Sequence, residues 1–250
     1  MLRFARNGVW RIEIVRASLV GLAAALLFAG VALAQPAVEA RAGQPPNLDE
    51  LKQQLLAYQK SGDYERGLAV VAGSAQAYVE AHAAGVTKPA LVLDIDETSL
   101  SNWPRIVADD FGYIPSGACN RLPQGPCGAR AWELMAKAPV IAPTLQLFNA
   151  ARAKGVAVFF ITGRDEGERA ATIRNLHRAG YRGWTKLVMK PLGLKVKSVA
   201  DFKAPERAKI AAQGYTIIAN MGDQPSDLSG GNPDDRARQF LLPNPFYRIP

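Results

Sequence analysis

Apolar residues follow three different spacings along this chain. From Ala17 to Ala34 they form one uncharged run behind Arg3, Arg6, Arg11 and Arg16. From about 48 to 83 they recur every three to four positions, which predicts two helices, Leu48–Lys60 and Tyr64–Ala83, the second stopped by Gly85. From Lys88-Pro89 onward, short apolar runs alternate with helical patterns. The runs predict strands at Ala90–Leu93, Val156–Ile161, Lys186–Met189, Tyr215–Asn220 and Gln239–Leu242. The intervening patterns predict helices from Pro143 to Lys154, from Glu168 to Ala179, and from a first turn holding Pro205 to Gly214.

Strands alternating with helices predict an α/β fold, a Rossmann-like parallel sheet with helices on both faces. The N-terminal helical pair precedes it, and residues 47–250 form one domain. Residues 99–138 break the alternation. They hold four prolines, four glycines and both cysteines, with one short helix near Ala129–Lys137. This segment reads as a small cap insertion rather than core.

The first apolar run is rich in alanine. It ends in Ala32-Leu33-Ala34, a small-x-small pattern, and reads as a secretory signal peptide cut after Ala34. An uncleaved membrane anchor is the alternative, since about 18 apolar residues nearly span a bilayer. Gln35–Pro46 reads as a linker. Cleavage puts the protein in the periplasm or outside the cell, with no stable membrane association afterwards. There, the closely spaced Cys119 and Cys127 are expected to pair as a disulfide, with two free thiols as the alternative.

Net charge is +8, and removal of the four leader arginines and Glu13 lowers it to +5. A moderately basic surface attracts anions. Lys and Arg form no block of the kind that marks nucleic-acid binding, so nucleic acid is not an expected partner. Neither cysteine has an arginine six positions later, which excludes a cysteine-nucleophile phosphatase loop. His82 and His177 lie in helical patterns and suggest no histidine chemistry.

In open parallel sheets, ligands bind at the carboxyl ends of the strands. Three strand ends run straight into polar residues: Asp94-Ile95-Asp96-Glu97-Thr98, Thr162-Gly163-Arg164 and Gly222-Asp223-Gln224-Pro225-Ser226-Asp227. Asp94 and Asp96 alternate, so the backbone must bend after Asp94 for both to face one pocket. Four carboxylates, Asp94, Asp96, Asp223 and Asp227, repel unless a hard divalent cation sits among them, and oxygen ligands suit Mg2+.

These three segments resemble motifs one, two and four of haloacid dehalogenase-type phosphatases. The acid phosphatase branch, which includes bacterial exported acid phosphatases and plant vegetative storage proteins, is the nearest in pattern. Gly180-Tyr181-Arg182-Gly183-Trp184, Phe202-Lys203 and Gly214-Tyr215 are similar to that branch too, and the likeness spans about residues 88–230. The resemblance implies a magnesium-dependent acid phosphatase acting on small phosphomonoesters, with a nucleoside monophosphate one candidate substrate. Asp94 would be the nucleophile and a metal ligand. Asp96 would be the general acid and base, touching the metal through its backbone carbonyl. Thr162 would hold a phosphoryl oxygen, and Asp223 and Asp227 would bind Mg2+.

The third motif is a lysine, and Lys203 is assigned because Phe202-Lys203-Ala204-Pro205-Glu206-Arg207 resembles the family pattern; Lys190 and Lys197 are rivals. Ala204 departs from the usual serine, and Pro225 replaces a tryptophan of plant relatives. Arg164 either orients the site or pairs with a carboxylate. Asn102 and Trp103 are expected to pack under the insertion. Neighbouring carboxylates are expected to raise the pKa of Asp96. A phosphotransferase with the same site, and a non-catalytic storage or phosphate-binding protein, are the alternatives. Oligomeric state is not legible.

Overall fold

The computed structural model describes residues 43–230 and 238–249. The expected signal peptide and most of the expected linker lie outside the described residues. Among those described, no helix is long and apolar enough to cross a membrane.

Two helices lead, α1 (Leu48–Lys60) and α2 (Asp63–His82). Asn47 caps α1 by accepting from the Asp49 and Glu50 amides, at 2.9 and 3.3 Å. Then follow β1 (Pro89–Leu93), α3 (Trp103–Ala108), α4 (Ala129–Met135), α5 (Ala142–Ala153), β2 (Ala157–Asp165), α6 (Arg169–Ala179), β3 (Lys186–Lys190), α7 (Ala200–Ala212), β4 (Thr216–Gly222), α8 (Pro225–Leu228) and β5 (Gln239–Leu241).

The five strands are all parallel, in the order β3-β2-β1-β4-β5. The chain builds outward from β1 to β3 and then crosses back to lay β4 on the other side of β1. That reversal opens a crevice at the carboxyl ends of β1 and β4.

Side-chain alternation assigns each strand's residues to two layers. Leu91, Leu93, Val158, Phe160 and Met221 pack on one face with Leu68, Ala72, Ala75 and Val79 of α2, Leu147 and Phe148 of α5, and Leu176 of α6. Ala90, Val92, Phe159 and Ile161 face the other way, against Phe202 and Ile210 of α7. The two layers are unequal: the first carries most of the core.

Three expectations are corrected. The 99–138 segment holds a second helix, α3, and Leu100, Ile106 and Trp132 are buried in the larger core layer, so part of this segment is core. Helix α7 starts five residues before Pro205 rather than around it. Ser198 and Asp201 open it reciprocally: the Ser198 amide donates to Asp201 Oδ2 at 3.1 Å, and the Ala200 amide donates to Ser198 Oγ at 3.2 Å. Strand β2 runs past Ile161 to Asp165, with a register shift between Thr162 and Asp165 that matches a bulge at Gly163-Arg164.

Asn175 on α6 ties the far end of the 99–138 segment down. Its amide donates to the Ala138 carbonyl at 2.7 Å and accepts from the Ala138 N–H at 3.0 Å. The segment is also closed by a disulfide, Cys119–Cys127. The Cys127 N–H donates to Asp109 Oδ1 at 2.7 Å, and Asp109 is paired with Arg105.

Candidate active site

Past Leu93 the chain cannot continue as a strand, because the Ile95 carbonyl collects the N–H groups of Thr98, Ser99 and Leu100 at 3.3, 2.8 and 2.8 Å. Glu97 takes a left-handed backbone, φ 51°, to close this curl. The curl turns Asp94 and Asp96 into one cavity of about 640 Å³, which Lys203, Asp223 and Asp227 also line.

Lys203 comes from the first turn of α7 and is buried. Its Nζ donates to Asp94 Oδ1 at 2.5 Å and to Asp227 Oδ1 at 2.6 Å. Of the rival lysines, Lys190 pairs with Asp165 at 3.1 Å on the cavity wall, and Lys197 is exposed on the preceding loop. Burial works against the ammonium, but Asp94 and Asp227 outweigh it and hold Lys203 charged.

Asp227 sits in α8, where its Oδ2 accepts from the Gln224 N–H at 2.9 Å. Arg207 and Asn220 fix the same turn by donating to the Asp227 carbonyl, at 2.5 and 3.0 Å. Asp223 accepts from Thr98 Oγ1 at 3.1 Å, from Gln224 Nε2 at 2.6 Å and from Asn244 Nδ2 at 2.7 Å.

Carboxylate oxygens of Asp94, Asp223 and Asp227 all lie within 4.8 Å of one another. Three buried carboxylates against one ammonium leave two negative charges, which a divalent cation would balance. Burial and the charges of Asp227 and Glu97 push Asp223 up to about 7. Burial, opposed by Lys203 and reinforced by Asp227 and Asp223, lifts Asp94 well above the carboxylate range. An all-oxygen donor set that is reluctant to ionise by itself fits a hard divalent ion. The Asp96 side chain is not in this cluster.

Asp96 faces Arg164 instead. Arg164 Nη2 donates to its Oδ1 at 2.6 Å and Nε to its Oδ2 at 3.0 Å. Burial disfavours the anion, but the Arg164 charge and hydrogen bonds and the Asn102 hydrogen bond prevail and lower the Asp96 pKa. The expected rise is thus reversed, because the nearest charged group is a cation. Arg164 both pairs with a carboxylate and orients it.

Thr162 is fully buried, and its hydroxyl accepts from the Arg164 N–H at 3.2 Å. It holds the bulged turn that presents Arg164. Asn102 does not merely pack: its Nδ2 donates to Asp96 Oδ1 at 2.8 Å. Trp103 does pack, against Phe111 and Phe246.

A sequence model of the HAD superfamily, subfamily IIIB (Acid phosphatase), matches residues 23–250. The chain is a member of this family. This subfamily IIIB chain is 34% identical over 163 residues to the stem 28 kDa glycoprotein of Glycine max, covering 65% of this chain and 61% of that protein. It is 32% identical over 158 residues to acid phosphatase 1 of Solanum lycopersicum, covering 63% and 58%. The chain therefore spans about three fifths of the length of these plant relatives. Among solved structures, the class C acid phosphatase from Bacillus anthracis aligns with TM-score 0.61 and 25% identity, over 79% of this chain and 86% of that one.

Several residues around the subfamily IIIB site had no sequence signal. Asn244 and Tyr247 reach it from the C-terminal segment, whose irregular pattern predicts nothing. Glu133 and Arg130 of α4 line the cavity opposite Glu168, and Arg130 Nη1 donates to Glu168 Oε1 at 3.1 Å. Arg207 carried a signal, as the last residue of the Phe202–Arg207 motif, but no role.

Proposed function

We propose that this protein is an exported phosphatase that hydrolyses small phosphomonoesters with Mg2+, through an aspartyl-phosphate on Asp94. The observation that carries this reading is the Lys203 ammonium, 2.5 Å from Asp94 and 2.6 Å from Asp227, with Asp96 on the same cavity. A buried carboxylate held by a lysine, beside two more carboxylates, suits attack on a phosphate and suits a metal to receive it.

Asp94, Asp223 and Asp227 would hold Mg2+, which would supply positive charge to the phosphoryl oxygens. The bent Asp94–Leu100 curl aims an Asp94 oxygen at phosphorus. That oxygen forms the new bond as the ester P–O bond breaks, and Asp96 gives its proton to the leaving oxygen. Asp96, now a carboxylate, takes a proton from water. The water oxygen attacks phosphorus, the bond to Asp94 breaks, and inorganic phosphate leaves with Asp94 restored. Lys203 neutralises Asp94 before attack and stays to meet the phosphoryl oxygens. Thr162 holds the Gly163-Arg164 turn and, as the motif resemblance implies, would hold a phosphoryl oxygen.

Arg164 lowers the pKa of Asp96. A bound phosphate dianion opposes that effect, and acidic solution supplies the proton, so turnover should favour acid pH. Export rests on the Ala17–Ala34 run and is checked by sequencing the mature N-terminus.

The test compares wild type and Asp94→Asn on phosphomonoesters with Mg2+ between about pH 4 and pH 8. The variant should lose at least about a thousandfold in kcat while keeping its melting temperature. Absence of turnover by folded, Mg2+-loaded wild type on every ester would reject the reading.

A further inference from the structure

Asn102 uses every polar atom of its side chain. Nδ2 donates to Asp96 Oδ1 at 2.8 Å and to Glu97 Oε2 at 3.1 Å, and Oδ1 accepts from Trp132 Nε1 at 2.7 Å. Its backbone N–H donates to Glu97 Oε1 at 2.5 Å. Glu97 in turn accepts from the Tyr247 hydroxyl. Trp132 belongs to α4, and Tyr247 to the C-terminal segment. Two distant parts of the chain thus converge on one amide beside Asp96.

That convergence has a chemical consequence. A flipped Asn102 amide would turn its carbonyl toward two carboxylates and its NH2 toward the Trp132 N–H. Both would be repulsive, so one orientation is imposed. With it, Asp96 Oδ1 accepts from Asn102 and Arg164, whereas Oδ2, among the described residues, accepts only from Arg164 Nε. The two oxygens of Asp96 are therefore unlike, and Oδ2 is the one left to carry a proton.

We infer that Asn102, Glu97, Trp132 and Tyr247 are positioning residues that fix which oxygen of Asp96 delivers the proton to the leaving group. The inference rests on the reading of Asp96 as general acid. In the step concerned, the proton on Oδ2 passes to the ester oxygen as the P–O bond breaks, leaving an alcohol and the Asp96 carboxylate. Asn102 and Tyr247 line the cavity, and the network's effect on the proton runs through Asp96. Its failure should be felt where the leaving oxygen needs a proton and much less where it does not.

The experiment measures kcat/KM for 4-nitrophenyl phosphate, whose phenolate leaves unprotonated, and for glycerol 2-phosphate, whose alkoxide does not. Tyr247→Phe removes one end of the network without changing ring packing, and Trp132→Phe removes the other. Each should cost about tenfold on the alkyl ester, with a clearly smaller loss on the aryl ester. Because both act through Asn102, the double variant should lose less than the product of the two factors. Asp96→Asn serves as the reference and should discriminate between the esters most strongly.

If Asp96→Asn discriminates but Tyr247→Phe loses equally on both esters, the network is structural only and the inference is wrong. If Asp96→Asn fails to discriminate, the general-acid reading falls and takes the inference with it. Melting temperatures establish that each variant is folded. Tyr247→Phe decides alone if Trp132→Phe does not fold.

Discussion

Asp227 lies against the open face of Gly222. A Cβ placed on Gly222 would overlap the Asp227 side chain, with its Cγ only 2.6 Å away. Gly222 ends β4, and Asp227 joins the Asp94–Asp223 carboxylate cluster from the turn beyond it. The glycine is needed because the carboxylate approaches the strand end more closely than any side chain there permits.

Gly222→Ala should therefore displace Asp227 without touching the core. Supporting residues of metal sites cost about 10–100-fold in affinity or activity when altered. A loss of that size is expected in a Mg2+ titration of turnover, with little change in melting temperature. Unaltered Mg2+ dependence would show that Asp227 is not a ligand.

Mg2+ binding should be linked to pH. In the metal-free protein Asp223 is pushed up to about 7 and Asp94 is raised as well, by burial and neighbouring carboxylates. At lower pH these groups hold protons that a cation must displace. The rise in melting temperature caused by Mg2+ should be larger at about pH 7.5 than at about pH 5. Asp223→Asn should abolish most of the shift. Equal shifts at both pH values would argue against this cluster.

Glu133 predicts a pH dependence of stability away from the Asp94–Asp223–Asp227 cluster. Burial, then Asp96 and Glu168, push it from 4.5 up to about 9 against the pull of Arg164. The folded chain thus binds this proton more tightly than the unfolded chain. The stability it contributes is full below about pH 4.5 and drains as pH rises towards about 9. Glu133→Gln is neutral throughout, so its advantage in melting temperature over wild type should grow between about pH 5 and pH 8.5. A constant difference would contradict the raised pKa.

Reduction of Cys119–Cys127 should destabilise the segment that forms one wall of the cavity. Closing a loop with sequence separation 8 is worth about 2–3 kcal/mol on the chain-entropy model. For a domain of this size that corresponds to about 5–10 °C in melting temperature. KM should rise too, because Arg105, Ile106, Phe111 and Tyr113 of this segment line the cavity. Unchanged melting and kinetics after reduction would show that the bridge supports neither.

The sequence by itself determined the parallel sheet, the long helices between its strands and the strand ends where chemistry gathers. These are short-range patterns: apolar runs ended by Asp94, Asp223 or a bulge at Gly163 read the same in any tertiary context. The sign of the Asp96 pKa shift was not local. Asp96 has carboxylates as sequence neighbours, but the fold brings Arg164 against it from a different strand. Helix α3 escaped because two of its six residues are polar or proline and its apolar positions are too few to show a period. Tyr247 and Asn244 were invisible for a plainer reason. An extended C-terminal segment has no pattern of its own, and only packing reveals that it runs past Glu97 and Asp223. Sequence names the groups that ionise and where strands stop; tertiary structure decides which charge each group meets, because electrostatic neighbours are set by distance in space.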